Sequence, residues 1–366
     1  VIFWRVMATR SLLLRALALA AAVGAACAFV APAPGALRVP SSRRALARAA
    51  AFDKSARPAD AEVVAPAKVN LFLRILRRRE DGYHELASLF QALALGDTLR
   101  CWKKSEECDE SSMEIAFEGA DAADVPDVPV DSSNLVLRAI NLFNEKTGVD
   151  QPVHIELIKR IPVQAGMGGG SADAAAALFA ANRLAGYPAS MAQLREWGGE
   201  LGSDISFFFS SGTAYCTGRG EQIESLPAFG SEPILILKPR EGLSTGLVYK
   251  TLDLDGLSAL DPDQLLKNMR TTGGLLEPTN FVNDLEPPAL AIEPRLTEIK
   301  EAVLARGWRV CMMSGSGTSI FALGPPDGDA AAAGLEGWQD DLGSTCFMTT
   351  FVSRPEEDEK VWYGEA

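Results

Sequence analysis

At 366 residues the chain is long for one domain and comfortable for two, and 47% hydrophobic with 23% charged residues is the composition of a soluble globular protein. A formal charge of −13 excludes a general nucleic-acid binder, which needs a basic face. A nucleotide ligand stays open, because backbone N–H groups, a helix N-terminus and a metal ion all hold phosphates. Six Cys without a CxxC pair, and two His, argue against a zinc site and for reduced thiols in a reducing compartment.

In chain order, the first segment is an address. Residues 1–52 carry seven Arg and no acid, which leaves −20 for the rest of the chain (−13 less +7). Met7 is the expected start. The apolar run Leu12–Ala28, broken only by Arg15 and ending Ala26-Cys27-Ala28, has the pattern of a signal peptide with a small-residue cleavage site. It is short for a membrane span, and no charged stop-transfer block follows at once. FVAPAPGALRVPSSRRALARAA, from Phe29 on, is rich in Arg, Ser and Ala, as transit peptides are. A signal peptide followed by a Phe-led transit peptide resembles the bipartite presequence of algae with secondary plastids. Residues 1–60 are therefore expected to target a plastid, with cuts before Phe29 and between Phe52 and Ala61. The mature protein would be stromal and free of the membrane.

Val63–Leu76, β-branched and apolar, reads as a strand. Leu86–Leu95 is apolar and runs into Gly96-Asp97, read as a turn, and residues 119–130, rich in Asp, Ala and Pro, read as an exposed loop. Asn134–Lys146 has helical spacing (Leu135, Ile140, Leu142, Phe143) and is closed by Gly148. Val153, Ile155 and Leu157 alternate with polar residues as a half-buried strand. The Ala-rich Ala172–Leu184 and then Met191–Leu201, after the start signal Pro188-Ala189-Ser190, read as helices. Ile234–Leu237 and Val310–Met313 are strands around the helical stretches Asp261–Arg270 and Leu296–Ala305. Strands and helices mix without strict βαβ alternation, which predicts an α+β fold. Lys238-Pro239 opens the loop system of a second domain, so residues 61–228 and 229–366 are the expected units.

Three stretches carry chemistry. PVQAGMGGGSADAA, Pro162–Ala175, lies between a strand and a helix. Its glycines let successive N–H groups converge on phosphate oxygens, and the helix behind adds its positive end. No Gly-Lys-Ser/Thr ends it, so it is not a Walker loop. PAKVNLFL, Pro66–Leu73, puts Lys68 inside an apolar strand, where it asks for a carboxylate partner, and Asn70 shares its face. GSDISFFF, Gly202–Phe209, sets Asp204 at the edge of the core, either as a helix cap or as that partner.

Together with DGYHEL (81–86), NLVLRA (134–139), TGRGE (217–221), STGLVY (244–249), NDLE (283–286) and MSGSG (313–317), these stretches resemble the galactose, homoserine, mevalonate and phosphomevalonate (GHMP) kinase superfamily. The likeness covers about residues 65–323, and the pairing of PAKVNLFL with GYH resembles its branch in non-mevalonate isoprenoid synthesis. The resemblance implies a ribosomal-protein-S5-like N-terminal and a ferredoxin-like C-terminal domain. It implies phosphorylation of CDP-methylerythritol by ATP with Mg²⁺, by a monomer or weak homodimer. Asp204 would be the general base, and Lys68 would favour its charged form and the charge on the moving phosphoryl group. Gly166, Met167, Gly168, Gly169, Gly170 and Ser171 would wrap the ATP phosphates, and Asn134 and Lys159 would border adenine and ribose. Tyr83, His84 and Tyr249 would hold the cytosine, with Asn70, Ser244 and Thr245 near the substrate. Ser314, Gly315, Ser316 and Gly317 would close over the reacting groups. Three departures bear on the loops: Ala172 where a second Ser is usual, Met167 for Leu, and Ser206 for Pro. A homoserine or mevalonate kinase offers no base for GYH and Tyr249, and a non-catalytic nucleotide sensor has no need of both Lys68 and Asp204.

Overall fold

The computed structural model describes residues 54–365 apart from 106, 107, 109, 119–126 and 327–340. The targeting segment expected at 1–53 and most of the loop expected at 119–130 lie outside the described residues. A long antiparallel hairpin opens the fold. β1 (Ala61–Arg78) and β2 (His84–Lys103) are buried on both faces for most of their length, which is why their sequences run apolar rather than alternating. Gly82 reverses the chain between them with φ of 85°. Gly96 and Asp97, read as a turn, lie inside β2 opposite Pro66 and Ala65. A Cβ on Gly96 would stand 2.8 Å from the Ala65 carbonyl oxygen, so the glycine answers to strand approach and not to a reversal.

β3 (Ser112–Phe117), β4 (Val153–Lys159), β5 (Thr213–Gly218) and β6 (Gln222–Ser225) complete a six-stranded sheet in the order β3-β4-β2-β5-β6, with β1 on β2. Only β3 and β4 run parallel. α1 (Leu135–Thr147), α2 (Gly169–Leu184) and α3 (Met191–Leu201) pack on this sheet. The Asn134 side chain caps α1 by accepting the Val136 N–H at 2.9 Å, and Gly148 closes it with φ of 71°. α2 is buried nearly all round, and its Ala run allows that close approach.

The second lobe is a four-stranded antiparallel sheet made of β7 (Pro233–Pro239), β8 (Val310–Met313), β9 (Ile320–Leu323) and β10 (Ser344–Thr350), ordered β10-β7-β9-β8. α4 (Thr245–Thr251), α5 (Pro262–Met269), α6 (Glu286–Ile292) and α7 (Arg295–Ala305) accompany it. The architecture is the α+β arrangement expected. Five of the strands, β3, β5, β6, β9 and β10, carry no legible period because they are short or mix Thr, Ser, Cys and Gly with apolar residues.

Two stretches outside residues 61–228 also pack on the first lobe. Residues 54–60, assigned above to the targeting segment, are part of the fold. Asp60 accepts the Lys103 N–H at 2.7 Å, Trp102 donates to the Arg57 carbonyl at 3.2 Å, and Lys54 pairs with Glu114 and Glu156. At the other end the chain leaves β10 and returns to the first sheet, where the Val352 N–H bonds the Ala92 carbonyl at 3.0 Å. Trp362 and Tyr363 are buried in the first lobe's core, so that core is finished by the last residues of the chain.

Candidate active site

The register of β1 against β2 slips between Pro66 and Lys68 and again between Asn70 and Phe72, but not between Lys68 and Asn70. Lys68 and Asn70 therefore share one face. The Lys68 ammonium donates to Asn70 Oδ1 at 2.8 Å, lies 4.4 Å from the Phe90 ring centroid and reaches Asp204 Oδ2 at 3.4 Å. A chain of hydrogen bonds fixes the Asn70 amide. Its Nδ2 donates to Ser88 Oγ at 2.9 Å, and that hydroxyl donates to the Phe72 carbonyl at 2.6 Å. Asp204 follows α3 and precedes a buried 3₁₀ turn, Ser206–Phe209, so its carboxylate stands at the mouth of the core with 36% of the side chain exposed. Lys68 is 4% exposed. One partner is dry and the other wet.

Gly166 and Gly168 adopt φ of 71° and 69°. Between them Met167 turns its side chain into the core under β1 and offers only its carbonyl, which accepts the Lys68 N–H at 2.9 Å. α2 starts at Gly169, and its first backward hydrogen bond is from Ala172 to Gly168. The N–H groups of Gly169, Gly170 and Ser171 thus have no partner within the helix, and the helix dipole adds to their pull on an anion. The MSGSG loop closes on this cradle from the second lobe. Ser314 Oγ accepts the Asn70 N–H at 3.3 Å and donates to the Gly166 carbonyl at 3.2 Å. Asn283 holds the loop by donating to the Met313 and Gly315 carbonyls at 2.9 and 2.8 Å.

A cavity of about 440 Å³ runs beside the cradle, lined by Pro129, Asn134, Leu135, Lys159, Gly166, Gly168–Ser171 and Asp173. Asn134 and Lys159 border it, yet their polar ends are engaged elsewhere. Asn134 caps α1 and donates to the Pro129 carbonyl at 2.6 Å. The Lys159 ammonium lies between Asp97 and Asp173, the latter at 2.7 Å. Burial pushes the Asp173 carboxyl well above the usual carboxylate range, against the pull of Lys159. For Lys159 burial works downward, but Asp173 and Asp97 outweigh it and the ammonium is held above its ordinary value. Two carboxyl groups thus face one ammonium, and of the two it is Asp173 that burial drives toward the neutral form. Asp173→Asn should leave stability within about 1 kcal/mol, whereas Lys159→Met, which takes the ammonium away from both buried carboxyls, should cost ~3–5 kcal/mol in urea unfolding. Equal losses in the two variants would refute this assignment of charge.

On the other side of the cradle a cavity of about 230 Å³ is lined by Lys68, Asn70, Asp204, Gly166, Gly168, Thr245, Gly315 and Ser316. It shares Leu86, Arg219, Thr245 and Tyr249 with an outer cavity of about 630 Å³. There His84 stacks on Tyr249, with ring centroids 5.1 Å apart and planes at 29°. Tyr83 does not join that stack. It is 59% exposed and lies under the Arg219 guanidinium, 5.1 Å from its ring centroid. Burial, and then Arg78, lowers the His84 imidazole, and burial with Asp204 pushes the Tyr249 hydroxyl up to about 12. Both rings are thus neutral near pH 7, suited to an uncharged heterocycle. Thr245 Oγ1 and Ser316 Oγ meet at 2.8 Å above the inner cavity, while Ser244 and Gly317 line a recess behind it. Arg219, Ser88, Asp97 and Asp173 escaped the sequence reading. Arg219 had a signal in TGRGE, on the turn after β5, but its neighbours come from distant strands.

Residues 134–212 match the GHMP kinases N terminal domain, and residues 255–339 match the GHMP kinases C terminal domain. A crystal structure of 4-(cytidine 5'-diphospho)-2C-methyl-D-erythritol kinase superposes with a TM-score of 0.65 at 34% identity, covering 80% of this chain and 99% of that one. The fold and the family matches define an ATP-dependent small-molecule kinase of the GHMP type. Homoserine kinase from Cytophaga hutchinsonii, at TM-score 0.61 and 21% identity over 84% of this chain and 99% of that one, shares the fold. Among sequence relatives, the chloroplastic 4-diphosphocytidyl-2-C-methyl-D-erythritol kinase of Oryza sativa subsp. japonica is 42% identical over 321 residues, 86% of this chain and 75% of the relative. The kinase of that name from Protochlamydia amoebophila (strain UWE25) is 44% identical over 259 residues, 71% of this chain and 83% of the relative. The chain belongs to the 4-diphosphocytidyl-2-C-methyl-D-erythritol kinase family.

Proposed function

We propose that the protein transfers the γ-phosphoryl group of ATP to the 2-hydroxyl of 4-diphosphocytidyl-2-C-methyl-D-erythritol, in non-mevalonate isoprenoid synthesis within a plastid. The observation that carries this reading is the Lys68–Asp204 pair, 3.4 Å apart, on the wall of the inner cavity, which shares Gly166 and Gly168 with the cavity beside the cradle and Tyr249 with the outer cavity. In the reaction the substrate hydroxyl gives its proton to the Asp204 carboxylate, and its oxygen bonds to the γ-phosphorus. The bond from γ-phosphorus to the β–γ bridging oxygen breaks, and ADP leaves. Lys68, fixed by Asn70 and Phe90, faces the oxygens on which charge gathers. The N–H groups of Gly169, Gly170 and Ser171 hold the phosphates, and Ser314 with Asn70 locks the cradle to β1.

The donor set fits Mg²⁺ carried chiefly by the nucleotide. Ser171 and Asp204 border the two inner cavities, and no group of three Asp, Glu, His or Cys residues forms a metal cage among the described residues. When bound, the ion neutralises charge on the β- and γ-phosphates. Relatives named chloroplastic support the plastid reading, as does the acid-free leader. We propose mature units at 61–228 and 229–366, with 54–60 and the last residues of the chain packed on the first.

The cytidine end has a direct test. Stacking is worth ~1–3 kcal/mol per base, so Tyr249→Ala should raise KM for the cytidine substrate roughly 5- to 150-fold. KM for ATP should stay within about two-fold by the same logic, since Tyr249 does not line the cavity beside the cradle. A coupled ADP-release assay on the cytidine substrate, homoserine and mevalonate reads both points. Unchanged cytidine kinetics, or preference for an acceptor without a base, would overturn the assignment.

A further inference from the structure

The last residues of the chain run across the back of the site, where nothing in the proposed mechanism uses them. After Phe351 the chain passes over Ser210–Gly212 so closely that a Cβ on Gly212, at φ of 101°, would lie 2.7 Å from the Val352 carbonyl oxygen. Arg354 is 4% exposed, and its guanidinium is spent on backbone carbonyls. Nη2 donates to Phe209 at 2.8 Å and Nε to Ser210 at 2.9 Å. Those carbonyls end the 3₁₀ turn that begins just after Asp204. They are the groups such a turn leaves without internal partners, and a planar fork satisfies two at once. Nη1 turns back to the Pro355 and Val361 carbonyls at 3.3 and 3.4 Å, so the same side chain ties the segment to itself.

Trp362 then joins three elements. Its ring stacks on Phe179 of α2 with centroids 4.6 Å apart and meets Phe209 edge-on at 5.5 Å. Its Nε1–H donates to the Val64 carbonyl at 2.6 Å, four residues before Lys68 on β1. Glu365 anchors the end, with Oε2 accepting from Arg183 Nη2 at 2.5 Å and from the Trp362 N–H at 3.0 Å. α2 presents the phosphate cradle, the 3₁₀ turn presents Asp204, and β1 presents Lys68. One indole touches all three.

We propose that this C-terminal strap sets the position of Asp204 against Lys68 and the cradle, with Arg354 and Trp362 as positioning residues. The inference rests on the reading of Asp204 as the base. A displacement of about 1 Å between reacting groups is enough to cost on the order of 10²-fold in rate. A strap that only stabilised the fold would lower the folded fraction and leave turnover per folded molecule alone.

Arg354→Lys keeps the charge but loses the fork onto Phe209 and Ser210, and Trp362→Phe keeps a ring but loses the hydrogen bond to Val64. With folded fraction fixed from urea unfolding, kcat and both KM values are measured for each variant, alone and combined with Asp204→Asn. The expected result is a fall in kcat of about 10-fold or more with KM for ATP nearly unchanged. In the Asp204→Asn background, where no base remains to be misplaced, the same change should cost less than about two-fold. Equal losses in both backgrounds, a loss confined to KM for ATP, or undiminished kcat would overturn the proposal. Should Arg354→Lys fail to fold, Trp362→Phe decides by the same comparison. Asp204→Asn alone turning over at the wild-type rate would instead sink the base assignment, an outcome distinct from an inert strap beside an essential Asp204.

Discussion

Asp204→Asn is expected to lower kcat by ~10²–10⁴-fold while ATP affinity stays the same. Asparagine matches the carboxylate in shape and still faces Lys68, but it cannot take the hydroxyl proton. The rest of the cluster does not depend on that charge, because the Lys68 ammonium keeps Asn70 Oδ1 at 2.8 Å and the Phe90 ring at 4.4 Å. Lys68→Ala should be similarly severe, since it removes the one ammonium of the inner cavity and releases the Asn70 amide. The double variant should lose less than the product of the single losses, as groups acting in one step do. The measurement is single-turnover phosphoryl transfer with saturating substrates, beside calorimetric binding of a non-hydrolysable ATP analogue. Asp204→Asn within two-fold of wild type would remove the carboxylate from the proton-transfer step and leave it only the ion pair with Lys68.

Gly166→Ala should be the most damaging change of a single methyl group. At φ of 71° the new Cβ would lie 2.6 Å from the Ser314 carbonyl oxygen and 2.9 Å from that of Gly317. Both are backbone atoms of the closing loop and cannot rotate away. Either the cradle or the MSGSG loop must move, and Ser314, which joins Gly166 to Asn70, moves with it. A fall in kcat/KM for ATP on the order of 10²-fold is expected. Gly148→Ala is the control. Its φ is also 71°, but nothing lies within 4 Å of the added atom, so it should cost about 1 kcal/mol of stability and leave ATP kinetics intact. Similar kinetics for the two variants would show that the cradle yields freely and that the fit to the second lobe is unimportant.

The comparison of the two glycines also marks what a sequence reveals. That Lys68 and Asn70 share a face was legible because the strand period holds between them even though the register slips on either side. The caps of α1, Asn134 and Gly148, were legible because capping is local. Asp97 was not. Gly96-Asp97 has the composition of a turn, and only its partners more than sixty residues away, the Arg160 and Ile161 N–H groups and the Lys159 ammonium, reveal a buried anchor. For the same reason the stretch around Asp204 read equally well as a cap, and its role came from the likeness of nine motifs rather than from periodicity. Tyr83 shows the limit of that likeness. The motif supplied the residue, while its actual neighbour, Arg219, is set by β5 reaching across the sheet. The return of Arg354 and Trp362 to the first core left no trace in sequence, since residues 351–365 have neither helical nor strand period.

The closure of MSGSG on the glycine cradle has one more consequence. Ser314 joins Asn70 of one lobe to Gly166, and Asn283 braces Ser314's own loop from below, so the curvature of the glycine turn is held by hydrogen bonds that span both lobes. The two lobes also inherit a common fate. Melting of the four-stranded sheet would withdraw Ser314 from both Asn70 and Gly166 and so loosen the glycine turn of the other lobe.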